Sequence, residues 1–389
     1  MARRDSLKLV LAAAFAPLAL SACANLPNPK AVLSRAPAGQ MGVPASGVTP
    51  DLENAAVIAA MMQLGARPLH TLAPAQARDN PTAADGVERV LLDQGRPTAP
   101  LPGIATLDIG VDGADGPLRA RVYTPAVASG PLPVIVYFHG GGWVIGDIAA
   151  YDAGARGIAR EGQAVVVSVD YRLAPEHKFP AQHEDALAAY RWALANAASI
   201  GGDPARVGLA GESAGGNLAV ATAIAARDAG LQRPFHLVSI YPIAGAYPNT
   251  PSYRENANAM PLNRAGMLWF FDQVKRTDAD LQDPRINLVA ADVRGLPPTT
   301  MVFAQIDPLR SEGETLARRL RAAGVDVEWR TFEGATHEFF GMDRVFEDAQ
   351  EAQGFVGARL RGAPAGRRFR RFHLPFRRAP RQRDANRGG

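Results

Sequence analysis

Ser213 lies in Gly211-Glu212-Ser213-Ala214-Gly215, after the apolar run Val207-Gly208-Leu209-Ala210 and before a stretch that reads as a helix from near Gly216. A serine between small residues at a strand-to-helix turn is the pattern of a nucleophile elbow, in which a strained turn lifts the hydroxyl clear of a sheet. The helix N-terminus behind it would stabilise an anion formed there. Upstream, His139-Gly140-Gly141-Gly142-Trp143 closes another apolar run. Successive glycines leave backbone N–H groups unobstructed and let a loop approach a ligand closely. Gly141, Gly142 and Ala214, the residue after the serine, are therefore candidate donors to an oxyanion. A phosphate loop is the weaker reading, because neither G-K-[ST] nor G-x-G-x-x-G follows.

A serine hydroxyl is a poor nucleophile until a base takes its proton, and the base needs an acid to fix its tautomer. After such an elbow the chain order is Ser, Asp, His. Of seven histidines, His70, His139, His177 and His183 precede Ser213, His236 comes before any candidate acid, and His373 lies near the C-terminus. His337 remains, in the loop after a strand. Asp307 directly follows the apolar run Met301–Gln305 and is the candidate acid. Asp292 falls in a turn before that run, Asp326 opens the next strand, and Glu312 is a local second choice. His139 is expected to orient its loop.

These residues need elements to position them. Short apolar runs read as strands over Thr106–Val111, Leu118–Tyr123, Val134–His139, Ala164–Asp170, Val207–Ala210, His236–Tyr241, Thr300–Gln305 and Val325–Phe332. Helices are expected over Ala181–Ala198, Gly216–Asp228, Glu312–Ala323 and Arg344–Leu360, between or after strands. Nearly continuous apolar runs such as Val165-Val166-Val167-Ser168-Val169 suit strands buried on both faces, and the alternation predicts a mostly parallel sheet covered on both sides. Before the first strand, Leu52–Gly65 and Ala75–Asp93, broken near Pro81, read as helices forming a lid or cap. An insertion at 245–293, with Tyr253, Met260, Met267, Trp269, Phe270 and Phe271, either packs on the body or lines a pocket.

The motifs together resemble the hormone-sensitive lipase family of esterases, which includes bacterial members. The resemblance runs from about Asp51 to Leu360. It rests on His139–Trp143, Tyr171–His177 with Phe179-Pro180-Ala181, Gly211–Gly216, Asp307-Pro308-Leu309 and His337-Glu338-Phe339, in that order. It implies an α/β-hydrolase fold with an eight-stranded sheet under a helical cap, and a catalytic triad of Ser213, Asp307 and His337. It also implies hydrolysis of short- to medium-chain carboxylic esters with no cofactor and no metal, and a bracing role for Tyr171–His177. Two positions depart from the family pattern. Ser311 stands where a second aspartate is usual, and Glu338 where glycine usually follows the histidine. Related plant receptors use this fold for binding alone and lose the histidine, so His337 argues for an enzyme. Sequence does not separate esters from amides, lactones or carbamates, since one acyl-enzyme chemistry serves all.

The 389 residues, 47% hydrophobic and 21% charged, suffice for one large α/β domain. The net charge of +4 conceals an asymmetry: the stretch 361–389 holds ten arginines and one aspartate, a balance of +9, leaving −5 on the remainder. The basic total is therefore no sign of specific nucleic-acid binding. Residues 1–22 read as an export signal, with basic residues before a short apolar stretch. That stretch ends in Leu20-Ser21-Ala22-Cys23, which resembles a bacterial lipobox and implies a lipid on Cys23, the chain's single cysteine. Ala24 then favours the outer membrane over the inner. Arg3-Arg4 also resembles a twin-arginine signal, which leaves the export route open. Residues 23–50 read as a tether, 51–100 as cap helices, 101–362 as the catalytic domain, and 363–389 as an arginine-rich disordered tail. The mixed Arg and Phe of that tail suit an anionic surface.

Overall fold

The computed structural model describes residues 47–126 and 130–362. The signal, Cys23, nearly all of the tether and the arginine-rich tail lie outside these. Eight strands form one sheet: β1 Ile104–Gly113, β2 Gly116–Pro125, β3 Leu132–Phe138, β4 Val165–Val169, β5 Gly202–Glu212, β6 Leu237–Ile240, β7 Thr299–Ile306 and β8 Val327–Thr336. Their order is β1-β2-β4-β3-β5-β6-β7-β8. The β1–β2 and β2–β4 pairs are antiparallel and all later pairs are parallel. Among the described residues the α-helices are α1 Leu52–Gln63, α2 Pro74–Arg78, α3 Ala83–Asp93, α4 Asp152–Gly162, α5 Ala181–Asn196, α6 Ala214–Asp228, α7 Pro251–Glu255, α8 Arg264–Val274, α9 Arg310–Ala322 and α10 Glu347–Leu360.

Side chains alternate across a strand, so a strand covered on both faces must be apolar throughout. On β3, Val134, Val136 and Phe138 enter a cluster with Ala186 of α5, Leu218 of α6 and Leu316 of α9. Ile135 and Tyr137 point the other way, into a cluster with Val57 of α1, Ile158 of α4 and Phe355 of α10. Both layers expected from the apolar runs are present.

Several boundaries differ from the sequence expectation, each for a local reason. β5 begins at Gly202, where the chain pairs with Leu132, ahead of the apolar run. β8 continues to Thr336 through Gly334, whose φ of +72° lets the strand shift register against β7. The last helix starts at Glu347 rather than Arg344, whose guanidinium donates to the carbonyls of Pro97 and Ala99. The helix after the serine starts at Ala214, two residues earlier than expected, with Ser213 itself as its N-cap.

The N-terminal helices do more than cover the sheet. The break at Pro81 ends where Thr82 and Asp85 exchange hydrogen bonds at the start of α3, a capping box. The Asp51 N–H donates to Gly334 O, and Thr336 Oγ1 donates to buried Asn54 Oδ1 at 2.8 Å. α1 is thereby fixed to the end of β8.

Candidate active site

The elbow forms because β5 runs straight into α6 with one residue between them. Ser213 has φ 56° and ψ −116°, a strained backbone for a residue with a side chain. Its N–H donates to Ile240 O at 2.9 Å, and its carbonyl accepts from Asn217 N and Ile243 N. No side chain fits at the flanking glycines. A Cβ on Gly215 would sit 1.9 Å from Phe138 O, and one on Gly211 2.2 Å from Gly215 O.

β8 delivers His337 from the next residue after its end, and β7 delivers Asp307 in the same way. The Ser213 hydroxyl lies 2.9 Å from His337 Nε2, and His337 Nδ1 lies 2.7 Å from Asp307 Oδ2. With Nδ1–H donating to Asp307, Nε2 is left to accept from the serine. Asp307 Oδ1 accepts from Leu309 N at 2.8 Å, and Asn256 Nδ2 donates to the Asp307 carbonyl, so the acid is fixed on both sides. All three residues are at least 97% buried. Burial alone would lower the His337 pKa, but the charge and hydrogen bond of Asp307 outweigh it and raise the pKa above the ordinary value, with Glu338 and Glu212 adding to the rise.

The glycine loop faces this group. Gly141 and Gly142 have φ of +95° and +59°. The Gly141 carbonyl accepts from Val144 N and Ile145 N, and a Cβ on Gly142 would meet the Phe270 ring at 2.2 Å. His139 is fully buried, lies 2.8 Å from Gly140 O through Nδ1, and stacks on Tyr171 at 4.3 Å between centroids. The Tyr171 hydroxyl donates to His139 O. Further along that motif, Glu176 takes the Arg78 guanidinium in a two-point bond, at 2.6 and 2.9 Å, tying α2 to the body.

The other candidates are engaged elsewhere. His183 bonds Asn217 and His236 bonds Thr300. Asp292 pairs with Arg294 and Asp326 with Arg359 at the surface. Buried Glu312 accepts from Ala244 N. Ser311, at the departed position, exchanges hydrogen bonds with Ser252.

A cavity of about 480 Å³ opens onto Ser213 and His337, with Gly141 and Gly142 in its wall. Met61, Ala77 and Pro81 from the N-terminal segment line it, as do Met260, Leu262 and Phe270 from the insertion. The insertion also packs on the body through Met267 and Phe271, so both readings of it hold. Among the described residues no helix is long and apolar enough to cross a membrane, and no His, Cys, Asp and Glu group could hold a metal.

A second layer went unread in the sequence. Glu212, the residue before the serine in the elbow, is 1% exposed and accepts from Tyr137 OH at 2.5 Å and from Tyr241 OH. Burial raises its pKa to about 7 against the pull of those two hydrogen bonds. The Tyr241 ring lies 4.7 Å from the His337 ring. The only available signal was an acid inside the motif, and nothing in sequence joins it to either tyrosine.

A family model described as the alpha/beta hydrolase fold matches residues 135–341, more than half of the chain. The chain belongs to the α/β-hydrolase fold family. The motifs and relatives of this hydrolase place it in the hormone-sensitive lipase-like branch. It is 42% identical to the carboxylesterase NlhH of Mycobacterium tuberculosis over 291 residues, 72% of this chain and 91% of that one. An ethyl acetate hydrolase of Pseudomonas putida is 34% identical, covering 63% of this chain and 78% of its own. Among solved structures, a thermostable esterase from Pseudomonas putida superposes with a TM-score of 0.74 at 30% identity, covering 81% of this chain and 97% of that one.

Proposed function

We propose that the hydrolase is a serine carboxylesterase that cleaves short- to medium-chain carboxylic esters through an acyl-enzyme on Ser213. The observation that carries the reading is the unbroken hydrogen-bond relay Ser213–His337–Asp307, with its serine end open to the cavity. His337 Nε2 removes the hydroxyl proton as Ser213 Oγ attacks the acyl carbon. The Gly141, Gly142 and Ala214 N–H groups take the oxyanion, at the N-terminus of α6. His337 then returns its proton to the leaving alkoxide, and water releases the acid by the same steps in reverse. The cavity volume and its Met, Leu and Phe lining suit a small apolar acyl group. Aryl esters differing only in acyl length test this: kcat/KM should be highest for short to medium chains and fall for long ones. Preference for long-chain esters would overturn the chain-length part.

On the lipobox-like Leu20-Ser21-Ala22-Cys23, we further propose that the enzyme is held at an envelope membrane, with the outer membrane favoured, through a lipidated Cys23. The Arg- and Phe-rich segment after Leu360 supports an added contact with an anionic surface.

A further inference from the structure

Glu338 follows the base with φ 71° and ψ 4°, a left-handed backbone that disfavours any residue with a Cβ. Glycine would occupy it without strain, yet the chain carries a glutamate there. Its carboxylate is held in place and only partly exposed to solvent. Oε1 accepts from Tyr151 OH at 2.7 Å and lies 3.8 Å from His337 Nε2, with the side chain 23% exposed. Tyr151 is itself buried, and its hydroxyl packs so close to Gly140 that a Cβ there would lie 2.4 Å from it. Glu338 therefore forms a fixed part of the wall beside Ser213 and His337.

In the esterase reading, Nε2 hands its proton to the leaving oxygen, so the alcohol part of the ester must lie beside Nε2 and within reach of Glu338. Among the described residues no arginine or lysine is in ion-pair distance of this carboxylate. Of the two arginines lining the cavity, Arg78 is spent on Glu176 and the carbonyls of Val144 and Ala174, while Arg67 is exposed. Asp147 and Asp170 line the same cavity. We propose that Glu338 is a specificity-determining residue that selects esters whose alcohol part carries an ammonium cation over uncharged esters of the same shape. Burial raises the pKa of Glu338, and a bound cation beside it would favour the ionised form.

This inference rests on the esterase reading, and the test separates the two. The probes are 2-(trimethylammonio)ethyl butyrate and its uncharged isostere 3,3-dimethylbutyl butyrate, compared by kcat/KM at low ionic strength, where screening is weak. Wild type should favour the cationic ester about tenfold or more, as a fixed opposite charge at close range allows. Glu338→Gln keeps an acceptor for Tyr151 and removes the charge, and Glu338→Gly removes both charge and backbone strain. Both should lower the ratio several-fold, and the glycine variant covers the case in which the glutamine variant fails to fold. A wild-type ratio of one or below, or a ratio unchanged in the folded variants while Ser213→Ala is inactive, would overturn the inference alone. Hydrolysis of both probes by Ser213→Ala at the wild-type rate would overturn the esterase reading itself.

Discussion

At the scale of single residues, the three side chains of the relay depend on one another through two hydrogen bonds, so their losses should not add. Replacing His337 by Ala should lower kcat by roughly 10⁴- to 10⁶-fold, and removing Ser213 as well should cost little more. Asp307→Asn should cost somewhat less, because the base remains in the wrong tautomer. Steady-state kinetics on a short-chain aryl ester measure all three. The relay also sets the pH response. The base works only when neutral, and its pKa is raised, so kcat/KM should fall as pH drops through a value above the ordinary imidazole value of about 6.5. An acid limb below that value would mean that Asp307 does not stabilise the imidazolium.

At the scale of elements, the site exists because three parallel strands end on the same side of the sheet: β5 at Glu212, β7 at Ile306 and β8 at Thr336. The elbow was legible in sequence because its glycines are demanded by the turn and follow an apolar run. Asp307 and His337 were legible because each stands next to a strand end in the required order. α4 was not, since glycines at 154, 157 and 162 mask its helical character. Gly154 and Gly157 are there for close packing, with positions a Cβ would need taken by Glu212 and Gln353. The pocket of Tyr137, Tyr241 and Glu212 was likewise hidden, because Tyr137 reads as one more apolar strand residue until the fold brings Glu212 beside it. That pocket carries a stability prediction. The folded-state pKa of Glu212 is raised to about 7 from about 4.5, so its stabilising contribution is full below pH 4.5 and is lost as pH rises through 7. Thermal melts of Glu212→Gln should show a smaller drop in Tm between pH 5.5 and 8 than wild type. The largest effect this shift allows is roughly 3 kcal/mol. Parallel pH curves for the two proteins would mean that Glu212 stays ionised throughout.

At the scale of the whole molecule, the charge asymmetry separates an acidic body from a basic C-terminal stretch, and the proposed membrane anchoring rests on residues near the two termini. A Cys23→Ser variant expressed in a bacterium should lose membrane association and any acyl label while keeping esterase activity. Mass spectrometry of the mature wild-type protein without a lipid would remove the anchor proposal. Deleting residues after Leu360 should leave turnover intact and weaken binding to anionic vesicles in low salt. Equal binding by both forms would count against a surface contact. Neither outcome touches the chemistry, which depends on one hydroxyl. The most direct measurement of that chemistry is peptide mass spectrometry after reaction with a serine-directed phosphonate. The account predicts one adduct, on Ser213, with matching loss of esterase activity, and no adduct on folded Ser213→Ala. A folded Ser213→Ala protein that still takes the label and still hydrolyses a short-chain aryl ester at the wild-type rate would contradict it.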